Sequence, residues 1–246
     1  MSIALISGGM GGIGKAVARK LATNGNKIIL LLHKDSPEIL DFLSTLNGKG
    51  HSHFMCDVSD DIKTESVVAQ IIKENGNIDI LVHCAIDPIV RKSTLDMSTF
   101  QFRGQFEAGL FGGFNLFSQV GKHMRENKKG VIIGITTTAI LPDANPGNMA
   151  GYISAKFALR GLLRELARTL SPYNVRVNAV APSFVQTKLN SDLPERIIDF
   201  VKEQNPNGKI VTPEDVAEVI SLICSPNGES INGLMLPVIF GETVKL

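Results

Sequence analysis

The sequence predicts an α/β protein built on a doubly wound parallel sheet, and three observations carry that expectation. Its strand-like runs are short and continuously apolar, as a sheet covered on both faces requires. Longer segments of helical period separate them, and repeated strand–helix alternation with right-handed crossovers winds such a sheet. The first run is followed at once by a glycine-rich turn into a helical segment.

The elements are read in order. Ile3–Ser7 reads as a strand, Gly12–Thr23 as a helix and Lys27–Leu32 as a second strand. Residues 37–46 read as a helix, 53–56 as a short strand, 61–74 as a helix and 78–83 as a strand. Residues 131–136 read as a strand, 155–170 as a helix and 175–180 as a strand. No linker and no fixed-period repeat interrupts this rhythm, so the expectation is a single domain.

Two regions break the pattern. Residues 99–127 read as one long helix and hold Phe100, Phe102, Phe106, Phe111, Phe114 and Phe117, half of the twelve phenylalanines. The default reading is a core helix, because phenylalanine is usually buried; a subunit interface is the alternative. Residues 183–208 are polar, follow the last inner strand and stand where a lid over the carboxyl ends of the strands belongs.

Composition bounds the function. A formal net charge of +1 argues against nucleic acid as the main partner. The longest purely aliphatic run is residues 28–32, far below the roughly 18 residues of a membrane span. Met1 leads directly into a strand without a basic start and long apolar stretch, so no secretory signal is visible. Cys56, Cys84 and Cys224 are widely spaced and odd in number, which disfavours a disulfide framework or a zinc site. A cytoplasmic, reducing setting is the expectation, with no metal.

The segment Ser7-Gly8-Gly9-Met10-Gly11-Gly12-Ile13-Gly14 lies between the first strand and the first helix. Glycines there let backbone approach a pyrophosphate, and the helix start offers free N–H groups and a partial positive charge. The arrangement is that of a Rossmann-type sheet. A kinase-type phosphate loop is excluded, because no Ser or Thr follows Lys15 to hold magnesium. The second strand ends at Leu32, followed by His33, Lys34 and Asp35. No acid is in register for an adenosine ribose, and Lys34 can attract a 2′-phosphate, which favours NADP over NAD. Two other readings stand beside it: Asp35 as ribose acceptor through a longer loop, and a merely solvated His33–Lys34 pair.

Tyr152 and Lys156 are four residues apart and share a helix face. A neighbouring cation stabilises a phenolate and brings an acid–base group closer to neutrality. The preceding strand ends in Thr136, Thr137 and Thr138, whose hydroxyls can hold a carbonyl oxygen.

Together these residues resemble the short-chain dehydrogenase/reductase family over essentially the whole length. Residues 7–14, Asp57-Val58, Thr137, Tyr152 and Lys156 carry the match, with Pro182-Ser183-Phe184-Val185-Gln186-Thr187, residues 212–217 and Ile231-Asn232-Gly233. The glycine motif looks most like those of 3-oxoacyl-carrier-protein reductases and acetoacetyl-CoA reductases. The resemblance implies an NADPH-dependent ketone reduction with Tyr152 as proton donor. Lys156 lowers the Tyr152 pKa and binds the nicotinamide ribose, and Thr137 orients the carbonyl. Gly8, Gly12, Ile13 and Gly14 would surround the pyrophosphate, Asp57 and Val58 the adenine, and Thr187 the nicotinamide side. Met10, His33, Lys34, Ala85 and Pro182 complete the implied cofactor set. The substrate would be a small-molecule or thioester-linked carbonyl, and the implied assembly is a homo-oligomer, dimer or tetramer, through residues 99–127 and 155–170.

The sequence also departs from the family. Where the family has Asn-Asn-Ala-Gly after the fourth strand, here stand His83-Cys84-Ala85-Ile86. The family's helix Asn, which supports Lys and a proton relay, falls on Gly109. Ser183 replaces a glycine, and residues 142–146 lengthen the spacing from Thr137 to Tyr152. Two hypotheses follow: an active reductase with a modified relay, favoured by the surviving Thr137, Tyr152 and Lys156, and a catalytically weak nucleotide-binding homologue acting as sensor or partner subunit. His51 and His53 flank Ser52 without a third ligand, so a solvent-facing edge is expected there rather than a metal. His83 is expected to be a structural, hydrogen-bonded histidine.

Overall fold

Among the described residues, seven parallel strands form one sheet in the order β3-β2-β1-β4-β5-β6-β7. They are β1 Ile3–Ser7, β2 Lys27–Leu32, β3 Ser52–Met55, β4 Ile80–His83, β5 Gly130–Ile135, β6 Val175–Pro182 and β7 Met235–Val238. The helices are α1 Gly12–Thr23, α2 Glu38–Ser44, α3 Asp61–Asn75, α4 Thr99–Arg103, α5 Gly112–Asn127, α6 Ala150–Leu170, α7 Glu195–Gln204 and α8 Pro213–Cys224. This is a computed structural model, and it describes residues 1–142, 144, 147–191 and 193–241.

The expected doubly wound architecture is therefore present. The chain runs outward from β1 to β3, crosses back to β4, and runs outward again to β7. The order reverses between β1 and β4, and their carboxyl ends, Ser7 and His83, are register partners there. A crevice at that switch point is where open α/β sheets bind ligands.

Apolar continuity explains the two cores. Every residue of β1 is buried, with Ala4 and Ile6 in one layer and Leu5 in the other. One layer packs α1 and α8, through Val17, Leu21, Val216 and Ile220. The opposite layer packs α3, α5 and α6, through Val68, Phe117 and Leu163. Each such side chain contributes roughly 1.5–3 kcal/mol on burial.

Local signals set the helix starts. The Asp60 side chain accepts from Lys63 N at 2.8 Å and opens α3. Thr212 and Asp215 form a capping box at the start of α8, with Pro213 in the first turn.

The fold differs from expectation at three places. α6 begins at Ala150, five residues earlier than the sequence pattern indicated, which puts Tyr152 and Lys156 both on the helix. β7, a strand the sequence pattern did not single out, has the mixed burial of a sheet edge and carries Pro237. Most prominently, residues 99–127 do not form one helix: α4 ends at Arg103 with Gly104 as its C-cap, a π-helical turn spans Glu107–Phe111, and α5 follows.

The first two residues of α5 are glycines pressed against the sheet. A Cβ on Gly112 would run into Val58, and one on Gly113 would lie 3.1 Å from His83 Nε2. The side-chain-free face thus lies against the sheet end, and the phenylalanines turn outward. Of the six, only Phe117 is core; Phe111 and Phe114 are 50% and 52% exposed. The core-helix reading holds for α5 through Leu116, Phe117, Val120 and Met124, but not for the other five phenylalanines.

Candidate functional site

The glycine-rich turn forms a backbone cradle. Gly8 adopts φ +64°, a conformation glycine reaches without cost. A Cβ there would lie 2.8 Å from Ala85 N, and one on Gly14 would run into the Gly8 carbonyl. A Cβ on Gly12 would stand 2.6 Å from Thr187 Cγ2, so Thr187 packs onto the start of α1. α1 has Gly11 at its N-cap and no side-chain cap, which leaves its first N–H groups for a ligand. Met10 and Ile13 pack partly against the core beside it.

His33 and Lys34 follow β2 and are exposed. His33 Nδ1 lies 3.4 Å from Asp57 Oδ2, which joins the ends of β2 and β3. Asp57 also accepts from the Ser59 N–H and hydroxyl, at 3.0 and 2.7 Å, and these bonds hold its carboxyl below the usual range. Val58 is buried beneath Gly112. Asp35 accepts from the N–H of Ser36 at 2.9 Å, so its carboxylate is engaged in its own loop.

A cavity of about 900 Å³ opens at the carboxyl ends of β4, β5 and β6. Thr137, Tyr152, Lys156, Pro182 and Thr187 line it together, with Ile13 reaching in from α1. Lys156 donates to the Ile135 carbonyl at 2.7 Å, and its Nζ lies 5.8 Å from the centre of the Tyr152 ring. Thr137 accepts from Ala139 N at 3.2 Å, which fixes its hydroxyl at the end of β5.

The electrostatics differ from the sequence expectation. Burial raises the Tyr152 phenol above its ordinary value, while the Thr137 hydroxyl and the Arg91 charge pull it down. The cation acting on the phenol is thus Arg91, because Lys156 is drawn to the Ile135 carbonyl. Burial also pushes Lys156 down to about 8 and the Cys84 thiol up to about 12. Cys84 is a neutral wall of the cavity, not a thiolate.

The departures from the family resolve into contacts. His83 is buried; its Nε2 meets the Gly109 carbonyl at 3.0 Å and its Nδ1 meets Ser7 Oγ at 2.8 Å. A carbonyl only accepts, so Nε2 carries the proton and Ser7 donates to Nδ1. Ser7 Oγ accepts in turn from Ala85 N at 3.3 Å. Ile86 stands in the cavity wall. Ser183 Oγ is buried without a hydrogen-bond partner among the described residues, beside the same cavity. That orphaned hydroxyl and the glycine cradle fit a dinucleotide laid across the switch point.

Comparison with known proteins decides the relationship. A family model described as enoyl-(acyl carrier protein) reductase matches residues 8–243. The chain belongs to the short-chain dehydrogenase/reductase family. It is an oxidoreductase. The 3-oxoacyl-acyl-carrier-protein reductase FabG of Escherichia coli K12 is 32% identical, covering 96% of this chain and 95% of that protein. The short-chain reductase protein NovJ of Streptomyces niveus is 31% identical over 94% of this chain and 90% of its own length. Escherichia coli 7alpha-hydroxysteroid dehydrogenase is 30% identical, covering 99% and 94% of the two chains. Among solved structures, gox2181 superposes with a TM-score of 0.92 at 29% identity, covering 99% of this chain and 96% of its own.

Within this short-chain dehydrogenase/reductase, sequence reasoning missed two residues. Arg91 reaches Asn190 Oδ1 at 2.7 Å and bridges the loop after β4 to residues 183–208. Asp87 accepts from the N–H groups of Ala108 and Gly109. An acid just past an apolar strand was a visible signal for Asp87; the π-turn that receives it was not. Of the spacing anomaly at 142–146, positions 143, 145 and 146 lie outside the described residues. His51 makes two structural contacts, with Ile28 N and the Asn47 carbonyl, both at 3.0 Å.

Proposed function

We propose that this protein is an NADPH-dependent ketone reductase, with a 3-oxoacyl thioester as the substrate class. The observation that carries the reading is the convergence of Thr137, Tyr152 and Lys156 on one cavity beside the glycine cradle. When bound, the nicotinamide dinucleotide supplies a hydride to the carbonyl carbon. The Tyr152 hydroxyl gives its proton to the carbonyl oxygen, so ketone plus hydride plus proton closes to a secondary alcohol. Thr137 donates a hydrogen bond to that oxygen and holds it beside the phenol. Lys156, anchored on the Ile135 carbonyl, supplies a hydrogen bond for a ribose hydroxyl, while the Arg91 charge pulls the Tyr152 phenol down.

The preference for NADPH rests on Lys34, exposed just past the end of β2, and on Asp35 accepting from Ser36 N in its own loop. His33, Asp57 and Val58 take the adenosine end; Gly8, Met10, Gly12, Ile13 and Gly14 the pyrophosphate; Ala85, Pro182 and Thr187 the nicotinamide end. Residues 183–208 serve as a lid, latched by Arg91 to Asn190. Phe111 at the end of the π-turn, Phe114 on α5 and Phe157 on α6, all half exposed, form the face on which a second copy docks, an assembly that light scattering measures. A cytoplasmic setting fits the three free thiols.

The second reading, a nucleotide-binding homologue of little turnover, is favoured by Ile86 in the cavity wall and the bare Gly109. Both readings expect NADPH fluorescence to change on binding. Oxidation of NADPH by a 3-oxoacyl thioester supports the enzyme; tight binding with no turnover across ketones, quinones and thioesters sinks it.

A further inference from the structure

Gln105 sits between α4 and the π-turn, where the helix expected over residues 99–127 breaks. It is 6% exposed. A buried amide needs partners for its oxygen and its nitrogen, because each group left alone forfeits its hydration. Gln105 finds both on the loop after β4. Its Oε1 accepts from the N–H of Val90 at 3.0 Å, and its Nε2 donates to the carbonyl of Pro88 at 2.6 Å. The side-chain amide thus does for this loop what a neighbouring strand would do: it satisfies one backbone donor and one backbone acceptor.

The residues that alternate with those two contacts face the reaction. Ile89 and Arg91 both line the cavity that holds Thr137, Tyr152 and Lys156. Other bonds fix the ends of the same loop. Asp87 accepts from the N–H groups of Ala108 and Gly109, and Lys92 forms a β-bridge with Met149, the N-cap of α6. Gln105 holds the middle, on either side of Ile89.

The same side chain meets the opposite element. Gly151 precedes Tyr152 in the first turn of α6, and a Cβ on Gly151 would lie 2.8 Å from Gln105 Cγ. The stem of Gln105 therefore packs against the start of α6 while its amide grips the loop. One buried residue spans from the segment that carries Ile89 and Arg91 to the helix turn that carries Tyr152.

We propose that Gln105 is a positioning residue that sets the substrate wall of the cavity, holding Ile89 and Arg91 in register with Tyr152 through the backbone of Pro88 and Val90. Its effect on turnover rests on the reductase reading, whereas its clamp on the loop does not.

The test is Gln105→Met in the full chain, which keeps the length of the side chain and removes both bonds. The probe is the N-acetylcysteamine thioester of acetoacetate, reduced with NADPH. A slackened wall binds ground state and transition state less well by the same factor, so KM should rise by about tenfold with kcat nearly unchanged. NADPH affinity, read by fluorescence titration, should not move. An unmoved KM in a variant of lower melting temperature makes Gln105 a structural amide only and overturns the proposal. A loss of NADPH affinity equal to the rise in KM marks general loosening and overturns it too. Should Gln105→Met fail to fold, Gln105→Glu, which keeps the acceptor for Val90 and loses the donor to Pro88, carries the same comparison. If the wild-type chain turns over no carbonyl, the reductase reading is lost, and amide hydrogen exchange then reads the wall. Residues 86–92 should exchange faster in the variant, and unchanged protection there overturns the clamp itself.

Discussion

The imidazole of His83, at the end of β4, donates from Nε2 to the carbonyl of Gly109 in the π-turn at 3.0 Å. Through Nδ1 the same ring receives the hydroxyl of Ser7, the residue that begins the glycine-rich turn. One neutral side chain thus ties the glycine-rich turn after β1 to the π-turn before α5.

That brace makes stability pH-dependent. Burial lowers the His83 pKa to about 4, below the unfolded value of 6.5. The unfolded chain binds the proton first, so the stabilisation is complete above pH 6.5 and drains away as pH falls toward 4. The loss amounts to about 3 kcal/mol, and chemical denaturation at pH 7 and pH 4.5 should reveal it. His83→Ala should remove the pH-dependent part and cost roughly 2–4 kcal/mol at pH 7, through two orphaned partners and a cavity.

Tyr152→Phe removes the phenolic proton while keeping the ring. The expected effect is a fall in kcat on the order of 10²–10⁴-fold, with NADPH binding retained by fluorescence titration. An unchanged kcat would place the proton donor elsewhere.

Lys156→Met should separate activity from stability. The Lys156 pKa is about 8 in the fold against 10.5 unfolded, so the unfolded chain holds the proton more strongly and burial of the ammonium opposes folding at pH 7. Melting temperature is expected to hold or rise while kcat collapses. A large loss of stability would mean that the amine is a net structural asset.

Lys34→Glu tests the cofactor preference. Reversing this exposed charge should weaken NADPH binding by about tenfold or more and leave NADH nearly untouched. Equal affinities before and after would move the phosphate contact to another residue.

Gly109→Ala should stabilise the chain by about 0.4–1 kcal/mol, because its backbone is not left-handed and the added methyl meets open space. A destabilised variant would show that the gap is needed by the native packing.

The doubly wound sheet and the order of its inner elements were legible in the sequence, as were the glycine turn and the Tyr–Lys spacing. Continuous apolar strands, a glycine turn at a strand–helix junction and a Tyr–Lys pair one helical turn apart are local patterns, and local patterns survive in one dimension. Tertiary structure alone decided what surrounds them. Asp87 meets Ala108 and Gly109 across about twenty residues, and His83 joins Ser7 across 76 positions. The outward turn of Phe111 and Phe114 follows from glycines that must fit under Val58 and His83. The electrostatics of the amine and the phenol were out of reach for the same reason: burial and through-space charge depend on three-dimensional neighbours, and sequence spacing does not encode them.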